Sequence, residues 1–246
     1  MRRAFISVLV VAFTILFTTG AYAEWVLYDN FDNYTDIDEM KQSGKWNIGS
    51  ASANRATFSI ESGRLKIVHP PGSTTISAWA ELIQQPNKIK GIRTTMEVES
   101  WDGDVRARIG SFVGFLKNNP NHQVWYEMAL RHFYPTWVSG SMEFVRGYSS
   151  VLDASASFAW QYDLFYTELG AWKHPVIAGT PYEITAKFDV KNAYFEVNDP
   201  PDLGKVNFSY VESISKLENP FIAIGTRSAT ADGTCVVYID DVYIYR

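Results

Sequence analysis

The sequence predicts an all-β protein that folds as a two-sheet antiparallel β-sandwich. Segments rich in β-branched and aromatic residues follow one another from Trp46 to the C-terminus. Short turns that contain Gly, Pro, Asn or Asp separate these segments, and only one segment carries helix signals. Many short strands at such intervals, with almost no helix, are typical of a sandwich.

The first predicted strand covers residues 25–31, and the one predicted helix follows it. Asp36 is the expected N-cap, Glu39 lies three residues later as in a capping box, and Gly44 is the expected end. The segment has room for barely two turns, so the helix is a minor element of the fold.

All later elements are predicted to be strands, because periodic apolar segments alternate with turn residues such as Gly63, Gly72 and Gly103. Their predicted ranges are 56–60, 64–68, 76–84, 91–101, 105–116, 123–133, 141–147, 159–168, 182–190, 193–198, 221–227 and 236–245.

The N-terminus has the pattern of a secretory signal peptide. A charged start at Arg2 and Arg3 precedes an apolar run that ends near Thr18, and Ala21-Tyr22-Ala23 matches a cleavage site. The apolar run is shorter than the roughly 20 residues that a membrane span needs. We therefore expect residues 1–23 to be removed after Ala23 and residues 24–246 to form a single secreted or periplasmic domain.

The charge balance excludes several classes of partner. Removing Arg2 and Arg3 from the 22 basic residues leaves 20 against 27 acidic ones, a net charge of −7. This balance does not predict binding to nucleic acid or to an anionic membrane. No second long apolar run occurs, so no membrane span is expected after cleavage, and we expect a monomer. Cys235 is the only cysteine, which excludes an internal disulfide and favours a buried thiol.

The last predicted strand, residues 236–245, carries two adjacent carboxylates. Strand alternation places Asp240 on the face of Tyr238, Val242 and Ile244, and it places Asp241 on the opposite face. One carboxylate should therefore point toward the core, where an unpaired charge is costly. Its partner could be a basic side chain, backbone N–H groups or a hard cation such as calcium.

Several motifs resemble the concanavalin A-like lectin/glucanase group of jelly rolls, including LamG-like members. They are Tyr28-Asp29-Asn30-Phe31 with Ile37-Asp38 and Lys45-Trp46, the hairpin Glu61-Ser62-Gly63-Arg64-Leu65-Lys66-Ile67, the hairpin 182–198, and the closing strand 237–245. The likeness spans residues 24–246 and implies a jelly-roll sandwich whose concave sheet forms the ligand groove.

The resemblance also implies a structural calcium ion where the two chain ends meet on the convex side. Carried over by position, Asp240 would supply a side-chain ligand, and backbone carbonyls at or near Asp29 and Gly63 would complete the site. Such an ion would tie the first and last strands together.

The catalytic motifs of related enzymes are absent from the sequence. Retaining glucanases of this fold carry E-x-D-x-E or E-x-D-x-x-E on one strand, and neither pattern occurs. The Q-(I/V)-H piece of similar alginate lyases is also missing, because His122 precedes Gln123 instead of following it. The sequence therefore favours a non-catalytic protein.

The best candidate surface lies in the middle of the chain, where aromatic and charged residues share strand faces. An aromatic plate with a nearby carboxylate and guanidinium suits saccharide binding. Cross-strand ion pairs and ordinary packing are the alternative interpretation. The predicted ligand-binding residues are Trp125, Glu127, Arg131, Arg108, Trp160 and Tyr162.

Together these patterns predict a secreted or periplasmic, lectin-like module that binds a poly- or oligosaccharide without catalysis and contains a structural calcium ion. The first alternative is a polysaccharide hydrolase or lyase with an atypical site in the same groove. The second is a protein-interaction or surface-structural module. The fold does not choose among them.

Overall fold

A computed structural model describes residues 24–51, 56–71, 77–85, 88–103, 105–116, 119–132, 141–149, 161–165, 176–188, 192–198, 206–211, 214–217, 222–228 and 233–246. For most of residues 110–165 and 188–217 the description is limited to backbone register. The predicted signal peptide, residues 1–23, lies outside the described residues.

The described elements are one helix and strands of 4 to 14 residues. The helix is α1 (Ile37–Gln42). The strands are β1 (Trp25–Asp29), β2 (Trp46–Ala51), β3 (Thr57–Glu61), β4 (Arg64–His69), β5 (Ser77–Leu82), β6 (Gly91–Asp102), β7 (Val105–Leu116), β8 (Asn119–His132), β9 (Ser141–Ser149), β10 (Gln161–Phe165), β11 (Pro181–Phe188), β12 (Asn192–Asn198), β13 (Val206–Val211), β14 (Ile214–Leu217), β15 (Ala223–Ser228) and β16 (Thr234–Tyr245). Within these residues no helix is long and apolar enough to cross a membrane.

The strands form two antiparallel sheets, which confirms the predicted β-sandwich. The first sheet has the order β13-β12-β11-β6-β16-β4-β3, and β1 pairs with the end of β16. The second sheet has the order β10-β9-β8-β7-β15-β5-β2, and β14 pairs with β7. Both terminal strands therefore belong to the first sheet.

The core lies between the sheets and follows strand alternation. In β4, Leu65, Ile67 and His69 are buried, and in β5 the buried positions are Ala78, Ala80 and Leu82. His69 Nδ1 lies 3.0 Å from Thr226 Oγ1, so a hydrogen bond joins β4 of the first sheet to β15 of the second. Cys235 is buried in the same layer, as expected.

The helix begins where the sequence predicts. Asp36 Oδ1 accepts the N–H groups of Asp38 and Glu39, each at 2.9 Å, so Asp36 is the N-cap. The Glu39 carboxylate accepts the N–H of Thr35 at 2.7 Å, one residue before the position of a regular capping box. Gly44 follows the helix with a φ of +71°, a conformation that favours glycine.

Some strand boundaries differ from the predicted ones. β1 ends at Asp29 because Phe31 has a φ of +59°, which an extended strand does not allow. β8 begins at Asn119, and β13 and β14 were not predicted.

The predicted alternation of the closing strand is wrong beyond Asp240, because Asp240 does not share the face of Val242 and Ile244. Asp241 has a φ of +46°, and the β16–β6 register shifts between Asp240 and Tyr243, so a β-bulge interrupts the alternation. Val242 and Ile244 face the core, whereas Asp240 is only partly buried and lies on the outer face. The extra residue inverts the face of every position that follows it.

Candidate functional site

On the outer face of the second sheet, a tryptophan lies between two glycines of the neighbouring strands. Ala78, Ala80 and Leu82 of β5 are fully buried, so the alternate residues Trp79 and Glu81 lie on the outer face. The strand neighbours of Trp79 are Gly49 on β2 and Gly225 on β15. The largest side chain of this row therefore has no side chain beside it on either neighbouring strand.

The indole of Trp79 lies directly against Gly49. A Cβ atom at residue 49 would come within 2.6 Å of Cε2 and Cζ2 and within 2.8 Å of Nε1 of Trp79. On the other side, a Cβ at Gly225 would collide with the backbone carbonyl of Ala78 and lie 3.0 Å from the Cα of Trp79. Because residue 49 has no side chain, the Trp79 ring can pack against the backbone of β2. The indole thereby forms a flat apolar surface on the outer face.

Charged and polar groups border the Trp79 ring. Asn47 Nδ2 donates to Glu81 Oε2 at 2.8 Å across the β2–β5 pair, on the exposed surface. Arg108 on β7 lies opposite Gly225, so it belongs to the same cross-strand row as Trp79. We define the outer-face plate as Gly49, Trp79, Glu81 and Arg108 together with Asn47.

The charge of Arg108 also affects the buried His69. Burial of the His69 imidazole, and secondarily the nearby Arg108 charge, lower the pKa of His69 to about 4. Among the described residues His69 Nε2 has no hydrogen-bond partner. His69 is therefore neutral at physiological pH.

Five of the six predicted ligand-binding residues occupy one face of the second sheet by backbone register. Arg108 pairs with Ala129, which places it in line with the positions of Trp125, Glu127 and Arg131 on β8. Leu130 is fully buried and marks the opposite, core-facing alternation of β8.

Tyr162 joins this face through β9. Gly147 on β9 pairs with Trp125 on β8 and with Tyr162 on β10. The two aromatic positions therefore lie in one cross-strand row, on the same face, with a glycine between them. Trp160 lies outside the described residues, and the binding roles of all six residues stay predictions.

Trp79 and Asn47 were not among the predicted site residues. The sequence signal for Trp79 was its place between Ala78 and Ala80, in a strand whose even positions are apolar. The importance of Gly49 and Gly225 had no local signal, because both glycines lie on other strands.

Between the opening segment and β2, Asp29 is buried and surrounded by donors. Tyr34 and the Trp46 indole N–H each donate to Asp29 Oδ2 at 2.7 Å, and the Phe31 N–H donates to Oδ1 at 3.2 Å. Lys45 Nζ lies 3.5 Å from Oδ2. These contacts use the carboxylate to hold the opening segment to β2, which leaves at most a backbone carbonyl of this residue for a metal.

Asp240 and Asp32 form an oxygen-rich corner near the β3–β4 turn. Burial raises the pKa of Asp240, and the charges of Asp241 and Asp32 raise it further, while the Asp241 N–H and the Arg64 charge oppose them. Asp32 Oδ1 lies so close to Gly63 that a Cβ there would overlap it. The corner therefore joins the opening segment, the β3–β4 turn and the closing strand.

This donor set fits the predicted calcium in kind, since hard cations prefer carboxylate and carbonyl oxygens. Asp32 would provide a side chain from the opening segment, and the sequence did not predict this residue as a ligand. Within the described residues no group of three or more His, Cys, Asp or Glu side chains is arranged to hold a metal ion. A site here would depend on two carboxylates supplemented by backbone oxygens.

The two packed antiparallel sheets, with the first and the last described strands in one of them, define the class of this fold as an antiparallel β-sandwich. No protein-family model matches the sequence, and no curated protein sequence matches it. Among solved structures, 103 chains match.

One of these structures is a xylan β-1,4-xylosidase from Bacillus halodurans C-125, with a TM-score of 0.52 and 8% identity. The match covers 89% of this chain but only 38% of the xylosidase chain, so this protein spans well under half the length of that enzyme. At this identity the likeness shows the fold alone.

Two further matches have TM-scores below 0.5 and carry no weight for function. A family 16 glycosyl hydrolase from Mycobacterium smegmatis str. MC2 155 aligns with a TM-score of 0.47 and 10% identity, covering 91% of this chain and 99% of that chain. Lectin UEA-II complexed with galactose aligns with a TM-score of 0.46 and 8% identity, covering 88% and 96%.

Proposed function

We propose that this protein is a secreted or periplasmic, non-catalytic carbohydrate-binding module whose ligand lies on the outer face of the second sheet. The observation that carries the proposal is the Trp79 indole lying against Gly49. An aromatic plate of this kind packs against the apolar C–H face of a sugar ring. The bordering polar groups then fix the orientation of the hydroxyls.

The polar partners have complementary chemistry. The Glu81 carboxylate accepts hydrogen bonds, the exposed Asn47 amide both donates and accepts, and the Arg108 guanidinium donates in a planar fork. A saccharide needs both kinds of partner, because each of its hydroxyls donates and accepts. The plate provides these groups on neighbouring strands of one rigid sheet, which limits the entropic cost of binding.

We propose binding without catalysis because the sequence lacks the paired carboxylates of retaining glucanases. A hydrolase or lyase in the same place would need an acid and a base on either side of the bound glycosidic bond.

We further propose a structural calcium ion at the corner of Asp32, Asp240 and Gly63. The two carboxylates and nearby backbone carbonyls would hold it. The ion would favour the ionised form of Asp240, whose pKa is raised by burial first and by the charges of Asp241 and Asp32 second. Asp240 and Asp32 would thereby link the closing strand to the opening segment.

The test is a glycan and polysaccharide array probed with the mature protein in the presence of calcium. Every bound glycan is then assayed for new reducing ends and for unsaturated products. Trp79→Ala should abolish binding, whereas Trp25→Ala, which removes a partly buried indole from the outer face of the first sheet, should keep it.

Binding without turnover that depends on Trp79 would support the proposal. Turnover would move the protein to the hydrolase or lyase class. Absence of binding across the array, or binding that survives Trp79→Ala, would overturn the proposed site.

A further inference from the structure

Three arginines lie side by side on the outer face of the second sheet. Arg227 on β15 pairs with Arg106 on β7, and Arg106 pairs in turn with Arg131 on β8. The flanking positions of this row are Ser77 on β5 and Ser141 on β9. The backbone register therefore places three basic residues directly opposite one another across three adjacent strands.

The face of this row is fixed by its neighbours in sequence. Val105 and Ala107 on β7 are fully buried, as is Thr226 on β15, so Arg106 and Arg227 occupy the alternate, outward positions. Arg131 follows the buried Leu130 on β8 and has the same outward position.

Arg108 adds a fourth basic residue beside the row. It lies two residues beyond Arg106 on β7, which is about 7 Å along a strand. Trp79 lies diagonally from Arg227, because Trp79 is two residues beyond Ser77, the partner of Arg227. The arginine row and the outer-face plate are therefore parts of one surface.

Like charges directly opposite one another destabilise a sheet. By register, the direct neighbours of these three arginines are other arginines or serines. Glu143, two residues beyond Ser141 on β9, is a diagonal neighbour of Arg131. Glu81 and Glu127 lie further along the same face, in the row that contains Gly110. One end of the surface is thus basic although the whole chain is acidic, with a net charge of −5.

We infer that the saccharide bound by this surface is acidic and carries carboxylate or sulfate groups. The inference rests on the proposed function and specifies its ligand. The anionic groups of the saccharide lie over Arg227, Arg106 and Arg131, and a sugar ring of the same chain packs on Trp79. The row spans two strand spacings, roughly 9.5 Å, which suits a repeating anion on an extended polymer. Binding by guanidinium groups is charge-assisted and bidentate, and it offsets the repulsion within the row.

The experiment uses two matched pairs of polymers that differ only in charge. The first pair is polygalacturonate and its fully methyl-esterified form, which tests carboxylate. The second pair is dextran sulfate and dextran, which tests sulfate. Affinity is measured by isothermal titration calorimetry on the mature protein at low and at physiological salt.

One acidic polymer should bind at least about tenfold more tightly than its neutral counterpart, with an affinity that falls as salt rises. Arg106→Gln and Arg131→Gln should each weaken this binding by about tenfold. Arg106→Lys keeps the charge without the planar fork and should lose less. Arg246→Gln, at the exposed C-terminus of the first sheet, is the matched control and should bind normally. Melting temperatures confirm folding, and Arg106→Gln should not melt below wild type because it removes a repulsive charge.

Equal binding of the acidic and neutral polymers, insensitive to the arginine changes but lost in Trp79→Ala, would overturn this inference and leave the proposed function standing. Binding to neutral glycans only, on a glycan array that also contains acidic ones, would likewise overturn this inference and leave the proposed function standing. Failure to bind any saccharide would overturn both. Equal loss in Arg246→Gln and Arg106→Gln would show that the attraction is a general charge effect and would also overturn the inference.

Discussion

The indole N–H of Trp46 donates to Oδ2 of Asp29 at 2.7 Å, and both residues are almost fully buried. Asp29 belongs to β1 of the first sheet, and Trp46 belongs to β2 of the second. The Trp46 ring also packs edge-on against Tyr28, with centroids 5.1 Å apart, and against Phe31 at 5.6 Å. This contact joins the two layers of the sandwich.

Asp29→Ala should therefore strongly destabilise the protein. The change leaves the buried Trp46 indole and Phe31 amide without their acceptor, at a cost of about 1–3 kcal/mol for each. It also removes the acceptor of the partly buried Tyr34 hydroxyl, which costs less. Chemical denaturation should show a loss of about 3 kcal/mol or more in the free energy of unfolding.

Asp38→Ala is the matched control. Asp38 forms an exposed ion pair with Lys41 at 3.2 Å, and such pairs contribute at most about 1 kcal/mol. Similar losses in the two variants would contradict the assigned role of Asp29.

The effect of Gly49→Ala on the free energy of unfolding should have opposite signs in the wild type and in Trp79→Ala. In the wild type, the new Cβ would overlap Trp79 and should destabilise the protein by about 1–3 kcal/mol. In a Trp79→Ala background the overlap is gone, and the same change should stabilise by roughly 0.5–1 kcal/mol because alanine restricts the unfolded chain. A double-mutant cycle measured by denaturation tests this, and additive effects would show that Trp79 does not lie on Gly49.

Calcium should raise the melting temperature of the wild type, and a chelator should reverse the rise. Asp240→Ala and Asp32→Ala should each remove this response, because both carboxylates belong to the proposed site. Without calcium, neither variant should melt far below wild type, since burial and neighbouring charges already disfavour the ionised Asp240. Differential scanning calorimetry with calcium or EDTA measures the response, and Asp38→Ala should retain it. Identical curves for wild type and Asp240→Ala in both buffers would eliminate the metal site.

Stability should decrease as the pH falls from about 6.5 toward 4, partly because of His69. The folded protein holds His69 neutral with a pKa of about 4, whereas the unfolded chain protonates it near 6.5. The unfolded state therefore binds more protons in this window, and the contribution of His69 is full above pH 6.5 and lost as pH falls through 4. The loss is about 3 kcal/mol over the whole window.

His69→Leu should flatten this part of the pH profile, although it also removes the hydrogen bond to Thr226 and lowers stability at pH 7.5. The comparison is the difference in unfolding free energy between pH 7.5 and pH 5 within each protein. The same difference in wild type and variant would exclude His69 as a source of acid sensitivity.

Several features could be predicted from the sequence because they depend on local chemistry. Asp36 caps α1 since its side chain reaches N–H groups two and three residues away, and Cys235 is buried since its neighbours alternate regularly. The sandwich itself follows from many short strands with turn residues between them. All of these signals lie within a few residues of one another.

The tertiary structure alone decided which residues meet across the strands. One extra residue at Asp241 turned Val242 and Ile244 to the core face, opposite to the face of Asp240, and no period-two pattern in the sequence marks that insertion. Trp79 gained its place from two glycines on other strands, and Arg227, Arg106 and Arg131 became neighbours through the pairing of β15, β7 and β8. Alternation fixes which residues of one strand share a face, but register between strands is set by contacts that are distant in sequence. The sequence therefore determined the sandwich and the outward residues of most strands, whereas only folding assembled them into a plate and an arginine row.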